Sequence, residues 1–314
     1  MLNLKNFKNI LVMVNGNVDL SNDSAISRGA DLAEQSNGCL TLMDVIDAPD
    51  TMVREYKGII SAAELIDMFI KQRHEELEAV AILLKKKNID VIIKVLTGRS
   101  FIETIRQVLQ GKHDLLIKVA NEHTGSFDSD DFHLMRKCPQ PVWLLKPDQG
   151  LEYQRVLAAI DLNLENHAEG KALNTLIMDL ATSLAHWQHS DLHILSCWSL
   201  YGESTLRDSP FLKVSEEKIA AILLEEKKLN LAHLDDLIAR YSDSQCTTHL
   251  IKGSAKQCIP DFVRENNIDV VVMGTVARTG IPGLLIGNTA ETILQLIDSS
   301  VITVKPTGFE SPIK

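Results

Sequence analysis

The segments in the first half of this 314-residue sequence recur, in the same order, in the second half. Repetition on this scale limits the possible folds, because each copy has to be built from the same series of elements. The paired segments are 9–15 with 155–161, 97–100 with 252–255, 113–118 with 268–273, and 138–147 with 299–306. The length also suits two domains of roughly 100 to 200 residues. We therefore predict one domain at residues 1–150 and a second at 151–314.

Within each half, short apolar runs alternate with longer amphipathic stretches, which is typical of successive β-α-β units. The run 269–273 is β-branched and continuously apolar, as in a parallel strand buried on both faces. The predicted strands are 10–15, 39–45, 91–96, 114–118, 142–145, 155–161, 191–197, 247–251, 269–273 and 301–304. The predicted helices are 22–35, 62–87, 101–110, 168–185, 215–239, 256–266 and 289–297, with one more before Cys138. We expect a mostly parallel sheet with helices on both faces and ligands at the carboxyl ends of the strands.

The composition argues against several classes of protein. Hydrophobic residues make up 45% of the sequence and charged residues 24%, which is ordinary for a globular domain. A formal net charge of −10 argues against a nucleic-acid partner, since such proteins usually carry a basic face. The amino terminus does not resemble a signal peptide, and no window approaches about 18 consecutive apolar residues. We therefore expect a cytoplasmic protein without a membrane partner.

Neither a disulfide framework nor a metal site is indicated. The cysteines are odd in number and lack the CxxC spacing, so we interpret most of them as small core residues. They are Cys39, Cys138, Cys197, Cys246 and Cys258. His186, His189 and His193 lie close together, but their spacing is not that of a metal site, and we interpret them as surface residues.

A glycine-bearing segment, residues 273–292, connects the apolar run 269–273 to a predicted helix. Such a loop turns backbone N–H groups and the positive end of the helix dipole toward one point, where a phosphate fits. Its residues also have purely structural interpretations. Gly274 could permit a turn with positive φ, Gly287 could allow close helix packing, and Asn288 with Thr289 could cap the helix.

The spacing of this segment resembles the glycine motif of the universal stress protein family, in its tandem two-domain form. Gly274, position 277, Gly287 and position 288 match the three glycines and the serine or threonine of that motif, but Ala277 and Asn288 replace its second glycine and its hydroxyl residue. Residues 131–143 are similar to a segment of the tandem members, and the resemblance covers essentially the whole chain. It implies two Rossmann-like domains, of the adenine nucleotide alpha hydrolase-like class, each with a five-stranded, mostly parallel sheet.

The resemblance also implies where a nucleotide would bind. A carboxylate after the first strand helps hold the nucleoside in the family; here it is Asp161 in the second half, whereas Asn15 takes its place in the first. A valine whose backbone meets adenine is present as Val45, and Trp198 is expected at its place in the second half, where the indole could stack on adenine or block it. The first half lacks the spaced glycines, so the site is expected in the second half. The residues expected to line it are Asp161, Trp198, Gly274, Ala277, Arg278, Gly287, Asn288 and Thr289.

The family resemblance implies ATP as the ligand, with Mg²⁺ bridging its phosphates, and a sensor or switch role in the stress response. No Ser–His–Asp order, paired carboxylates or P-loop lysine falls on the expected site, so we expect no enzyme, or at most a slow ATPase. Family domains commonly pair through their last strands. The two halves can therefore pair within one chain, and two chains could form a homodimer.

Two other functions also fit the sequence. The first is a protein-interaction scaffold that binds no nucleotide, which the altered first half favours. The second is a carrier of an amphipathic small molecule, held between the strand ends and the long second helix of either half, at 59–84 or 214–237. Nucleotide binding predicts that Gly274→Val or Gly287→Val lowers the affinity without unfolding. A scaffold predicts no nucleotide affinity, and a carrier predicts a copurifying lipid-like species.

Overall fold

A computed structural model describes residues 4–16, 18, 24–47, 60–121, 127–147, 150–163, 168–208, 214–242, 244–275 and 287–314. The strands are β1 (Asn9–Met13), β2 (Cys39–Ile46), β3 (Asp90–Thr97), β4 (Leu115–Val119), β5 (Val142–Leu145), β6 (Arg155–Ile160), β7 (Asp191–Trp198), β8 (Cys246–Lys252), β9 (Val270–Gly274) and β10 (Ser300–Val304). Their ends differ from the predicted ones by two residues at most. The short apolar runs in the sequence therefore predict the position of each strand to within two residues.

All ten of these strands form one sheet, in the order β3-β2-β1-β4-β5-β10-β9-β6-β7-β8. Neighbouring strands are parallel except at β5 and β10, which pair antiparallel. The first five strands and the last five have the same spatial order, with the first strand of each set between its second and fourth. The prediction of a mostly parallel α/β fold is confirmed.

The described α-helices are α1 (Ser24–Ser36), α2 (Ala62–Lys85), α3 (Ser100–Gln110), α4 (Ser129–Lys137), α5 (Ala168–Gln188), α6 (Glu203–Asp208), α7 (Glu216–Ile238), α8 (Ala255–Glu265) and α9 (Asn288–Leu296). Short 3₁₀ turns occur at Leu4–Asn6 and Ala239–Tyr241. The helix expected before Cys138 is present as α4, and α6 was not predicted. No described helix has both the length and the apolar character needed to cross a membrane.

The helices cover both faces of the sheet. One buried cluster includes side chains of α1, α2, α5 and α7, and the other includes side chains of α3, α4, α8 and α9. Each cluster contains residues from both sets of five strands, such as Ile10 with Val156 in one and Leu11 with Leu157 in the other. The apolar core is therefore continuous across the antiparallel pair β5–β10.

Aromatic residues and one arginine consolidate that junction. Trp143 of β5 is fully buried and pairs in register with Ile302 of β10. The buried guanidinium of Arg28 lies 4.1 Å from the ring centroid of Tyr153 and 5.0 Å from that of Trp143, and it donates a hydrogen bond to the carbonyl of Leu151. Such stacking satisfies a cation that burial removes from water.

Gly29 of α1 sets how closely that helix packs on the sheet. A Cβ atom built there would lie 2.5 Å from Cγ2 of Val12 and 2.9 Å from Cδ1 of Leu40. In an open helix, alanine would stabilise relative to glycine by roughly 0.5–1 kcal/mol, but overpacking costs roughly 1–3 kcal/mol. We predict that Gly29→Ala lowers the free energy of unfolding by about 1–2 kcal/mol in urea titrations. Gly150→Ala is the control, because nothing lies within 4 Å of its added methyl; a Gly29→Ala protein as stable as the control would contradict the prediction.

Candidate functional site

A cleft of about 940 Å³ opens at the carboxyl ends of the last five strands. It is lined by the ends of β6, β7, β8 and β9, by one face of α5, and by the first turns of α8 and α9. The strand order reverses between β6 and β9, and crevices at such switch points are the usual ligand sites of parallel α/β sheets. The volume is in the range of pockets that hold small-molecule ligands.

Asp161 follows β6 and lines the cleft. Its carboxylate accepts hydrogen bonds from the backbone N–H of Asn163 at 3.1 Å and from that residue's side-chain amide at 3.0 Å. Asn174 of α5 holds the backbone of Asp161 from the other side, accepting from its N–H at 3.2 Å and donating to its carbonyl at 3.0 Å. The carboxylate is therefore anchored at the strand end. Asn174 was not predicted, because a buried amide on a helix gives no signal in the sequence.

Gly274 is the last residue of β9 and also lines the cleft. The turn with positive φ considered for it is wrong, since Gly274 does not belong to the described glycines with positive φ. Its hydrogen is needed for packing instead, because a Cβ atom there would lie 2.9 Å from Cδ2 of Leu173 in α5. A valine at this position would disturb the α5 contact, so Gly274→Val does not test ligand binding cleanly.

The start of α9 forms another wall of the cleft. The N-cap residue is Gly287, whose N–H donates to the carbonyl of Thr275 at 2.8 Å. The interpretation of Asn288 and Thr289 as the capping pair is wrong, since they are the first two helical residues, and both are exposed and line the cleft. Among the described residues, no side chain caps this helix. Its first N–H groups and its dipole are therefore oriented for an anion.

In the first half, the equivalent helix is α4, and carboxylate side chains accept hydrogen bonds at its start, so we call this helix end closed. The N-cap of α4, Asp128, accepts from the backbone N–H of Asp131 at 2.7 Å. Asp131 forms an ion pair of 2.5 Å with Lys118, and both side chains are almost completely buried. The second carboxylate oxygen of Asp131 accepts from the backbone N–H of Asn121 at 3.2 Å. Burial raises the pKa of Asp131, and the nearby Lys118 opposes that rise.

The two helix ends can be compared position by position. Both α4 and α9 have nine residues, so Asp131 corresponds to Ala290, and Asp128 corresponds to Gly287. Lys118, the fourth residue of β4, corresponds to the fourth residue of β9, Met273. In the first half, the side chains of Lys118, Asp128 and Asp131 therefore fill the space that corresponds to the cleft of the second half. Asn15 joins this network by donating to the side chain of Asn121 at 2.8 Å.

The sheet register corrects one predicted site residue. β2 and β7 both have eight residues, and their first residues pair with the first residues of β1 and β6. Their seventh residues, Val45 and Cys197, are therefore equivalent, and the prediction that Trp198 replaces Val45 is wrong by one residue. Such a slip moves a side chain to the other face of a sheet. Cys197 lines the cleft, whereas Trp198 is buried and does not belong to its lining.

Two further predicted residues, Ala277 and Arg278, lie outside the described residues, in the segment 276–286.

At the mouth of the cleft, Glu203 of α6 pairs with Lys252 at 2.7 Å and with Arg207 at 3.2 Å. The hydrogen bond from Lys252 is the main reason why the pKa of Glu203 is lowered. Lys252 belongs to a repeated segment, but the sequence did not indicate that it borders the site.

No cluster of three or more histidine, cysteine or carboxylate side chains suited to a metal ion occurs in the part of the chain that the structure describes. The side-chain oxygens of Asn288 and Thr289, which line the cleft, are hard oxygen ligands of the kind that Mg²⁺ prefers. They would supplement the phosphate oxygens of a bound nucleotide, since Mg²⁺ is usually held by substrate phosphates and one or two protein groups.

Comparison with known proteins gives a consistent result. A sequence model described as the universal stress protein family matches residues 152–305. The chain is 25% identical to universal stress protein E of Escherichia coli K12 over 323 residues, which cover 98% of this chain and 97% of that protein. It is 27% identical to universal stress protein E of Photorhabdus laumondii over 326 residues, 99% of each chain.

Solved structures resemble the fold over most of its length. A putative universal stress protein from Pseudomonas aeruginosa UCBPP-PA14 superposes with a TM-score of 0.69 and 25% identity, covering 96% of this chain and 95% of that one. A universal stress protein from Archaeoglobus fulgidus superposes with a TM-score of 0.61 at 14% identity, over 94% of this chain and 98% of that one. The second similarity concerns the fold alone.

The Lys118–Asp131 pair can be tested by giving the first half the residues of the second. Removing one member of a buried pair leaves an uncompensated charge, so we predict that Asp131→Ala lowers the free energy of unfolding by about 3–5 kcal/mol. The double variant Lys118→Met/Asp131→Ala reproduces Met273 and Ala290, and we expect it to recover all but about 1–2 kcal/mol, the cost of losing the hydrogen bonds that Asp131 accepts from the N–H groups of Asn121 and Asp128. Urea denaturation measures both values. A double variant as unstable as Asp131→Ala would contradict the inference that the pair closes this helix end.

Proposed function

Because the chain belongs to the universal stress protein family, we propose that it acts in the stress response by binding ATP in the cleft of its second half, as a sensor or switch. The observation that supports this most is the start of α9. Its first turn faces the cleft without a capping side chain among the described residues, whereas carboxylates close the equivalent end of α4. An anionic ligand would satisfy the N–H groups that the protein satisfies itself in the first half.

The proposal assigns a role to each wall of the cleft. The phosphates would accept from the first N–H groups of α9, after Gly287. The carboxylate of Asp161 would accept from the ribose hydroxyls. Asn163 donates to this carboxylate, and Asn174 holds the backbone of Asp161, so the acceptor is fixed in place. The base would lie toward the backbone at Cys197, the position equivalent to Val45. The side-chain oxygens of Asn288 and Thr289 would hold Mg²⁺, which would reduce the repulsion between the phosphates.

We also propose a division of labour between two domains, residues 1–150 and 151–314. The equal spatial order of the two sets of five strands supports this division, as does their single antiparallel contact at β5–β10. In this arrangement, the second domain binds the nucleotide, and the first contributes a closed, rigid half of the sheet.

The first experiment is to denature the purified protein and to identify any released small molecule by mass spectrometry. ATP is then titrated into the stripped protein by calorimetry. The proposal predicts a released or rebound adenine nucleotide. A protein that contains no ligand and ignores ATP would contradict it and favour the scaffold, and a released apolar molecule would favour the carrier.

Substitutions then locate the site. Asp161→Asn removes a charged acceptor, and we predict that it weakens ATP binding by roughly 10- to 100-fold, as expected for the loss of about 1.5–3 kcal/mol. Gly287→Val should abolish binding, because a branched side chain would cover the start of α9. Asp47→Asn is the matched control, since it removes a carboxylate next to β2, at the carboxyl edge of the first five strands, and should leave the affinity unchanged. Equal losses in Asp161→Asn and Asp47→Asn would rule out the assigned site.

Asn288 offers a test in the opposite direction. Asn288→Ser restores the hydroxyl that the family motif has at this position, and residue 288 is exposed in the cleft, so the fold should tolerate the change. We predict about fivefold tighter ATP binding, corresponding to one additional hydrogen bond of about 1 kcal/mol. The same titration measures it. Unchanged binding would show that the side chain at 288 does not contact the phosphates, and weaker binding would contradict the prediction by showing that the asparagine amide is the better partner.

A further inference from the structure

Two cysteines from different elements are neighbours beside the cleft. Cys197 is in β7 and lines the cleft, and Cys258 is in the first turn of α8. The helix α8 packs against β7, and the thiol of Cys258 acts on that of Cys197. Both side chains are partly accessible, and neither is in a disulfide.

Gly253 makes this approach possible. Its N–H donates to the carbonyl of Trp198 at 2.9 Å, which holds the loop after β8 against the end of β7. Its φ of +155° is one that residues with a side chain rarely adopt, and a Cβ atom there would lie 2.6 Å from Sγ of Cys258. The sulfur of Cys258 therefore packs directly on Gly253, which is hydrogen-bonded to the carbonyl of Trp198, the residue after Cys197.

We propose that Cys197 and Cys258 are a modification site, where hydrogen peroxide oxidises the two thiols to a reversible disulfide. The geometry suits this reaction, because the two side chains are neighbours, Cys197 lines the cleft, and both residues are partly accessible. The inference does not depend on nucleotide binding, although the disulfide would form beside the anchored carboxylate of Asp161, whose charge acts on Cys197.

The reaction balances with one peroxide for each pair of thiols. The sulfur of Cys258, as thiolate, attacks one peroxide oxygen; the O–O bond breaks, and the departing hydroxide takes up the proton that the thiol lost, forming water. Cys258 is then a sulfenic acid. The sulfur of Cys197 attacks that of Cys258; the S–S bond forms, the S–O bond breaks, and the proton of Cys197 leaves with the hydroxide as a second water. The two thiols lose two electrons, and the peroxide gains them.

The order of attack follows from the environment of Cys197. Burial, and then the neighbouring Cys258, raises the pKa of Cys197 to about 12, so Cys197 is the poorer first nucleophile toward peroxide and serves as the second, resolving group. The other cysteines lack a partner thiol: Cys138 is fully buried, Cys39 is hydrogen-bonded to Asp90, and the pKa of Cys246 is raised by burial alone.

The test uses the full-length protein with its five cysteines. It is treated with hydrogen peroxide, the remaining thiols are alkylated, and a digest without reductant is analysed by mass spectrometry. We expect a peptide that contains Cys197 linked to one that contains Cys258, with two thiols lost per chain and both recovered on adding dithiothreitol. The inference is overturned if Cys258 is oxidised to the sulfinic or sulfonic acid while Cys197 stays reduced, if the links join other cysteines, or if neither thiol reacts.

Three variants sharpen the assignment. Cys246→Ser is the matched control, because it removes another partly accessible cysteine and should leave the cross-link unchanged. Cys197→Ser should abolish the link and leave Cys258 as a sulfenic acid, which dimedone labels. Cys258→Ser should abolish both the link and the labelling. If a variant does not fold, the peptide map of the peroxide-treated protein without substitutions still decides. Because this test measures peptide masses, its outcome is independent of the ATP titration.

Discussion

The antiparallel pairing of β5 with β10 is the contact on which the rest of the structure depends. Trp143 pairs with Ile302, Val142 with Thr303, and Leu144 with Val301. Trp143 and Ile302 are equivalent positions in the two sets of strands, so the pairing is symmetric about this point. It continues the sheet across ten strands and lets both buried clusters extend from one half to the other. Since the strands reverse direction here, the carboxyl edges of the two halves face opposite ways.

Side chains across this junction connect α4 of the first half with the surroundings of the cleft. The buried amine of Lys305, just after β10, donates to the carbonyl of Met135 in the last turn of α4 and to the hydroxyl of Thr275. Burial lowers the pKa of Lys305 to about 8. Thr275 in turn accepts from the N–H of Gly287 through its carbonyl, and Arg136 of α4 pairs with Glu291 of α9. The last turn of α4 thus contacts residues that position the start of α9.

The strands and most helices could be predicted from the sequence because short apolar runs and amphipathic stretches directly reflect burial. The features that it missed depend on contacts between distant residues. α6 has only six residues, and its Arg207 is held by Glu216 of α7 as well as by Glu203. The placement of Trp198 failed by one residue because a strand buried on both faces has no polar alternation to define its register. Lys118 fell within an apolar run, and its partner Asp131 became apparent only when the fold brought β4 and α4 together.

The closed end of α4 has a consequence for stoichiometry. Two identical domains paired through their last strands would present two equal sites, and occupation of one could alter the other. In this chain, the Lys118–Asp131 pair permanently takes the place of a ligand on one side. Under the proposed function, the cleft of the second half therefore offers one binding equivalent per polypeptide, and saturation within a single chain would be hyperbolic. The first half would serve as a reference that never changes state, and only the second half would respond to the ligand concentration.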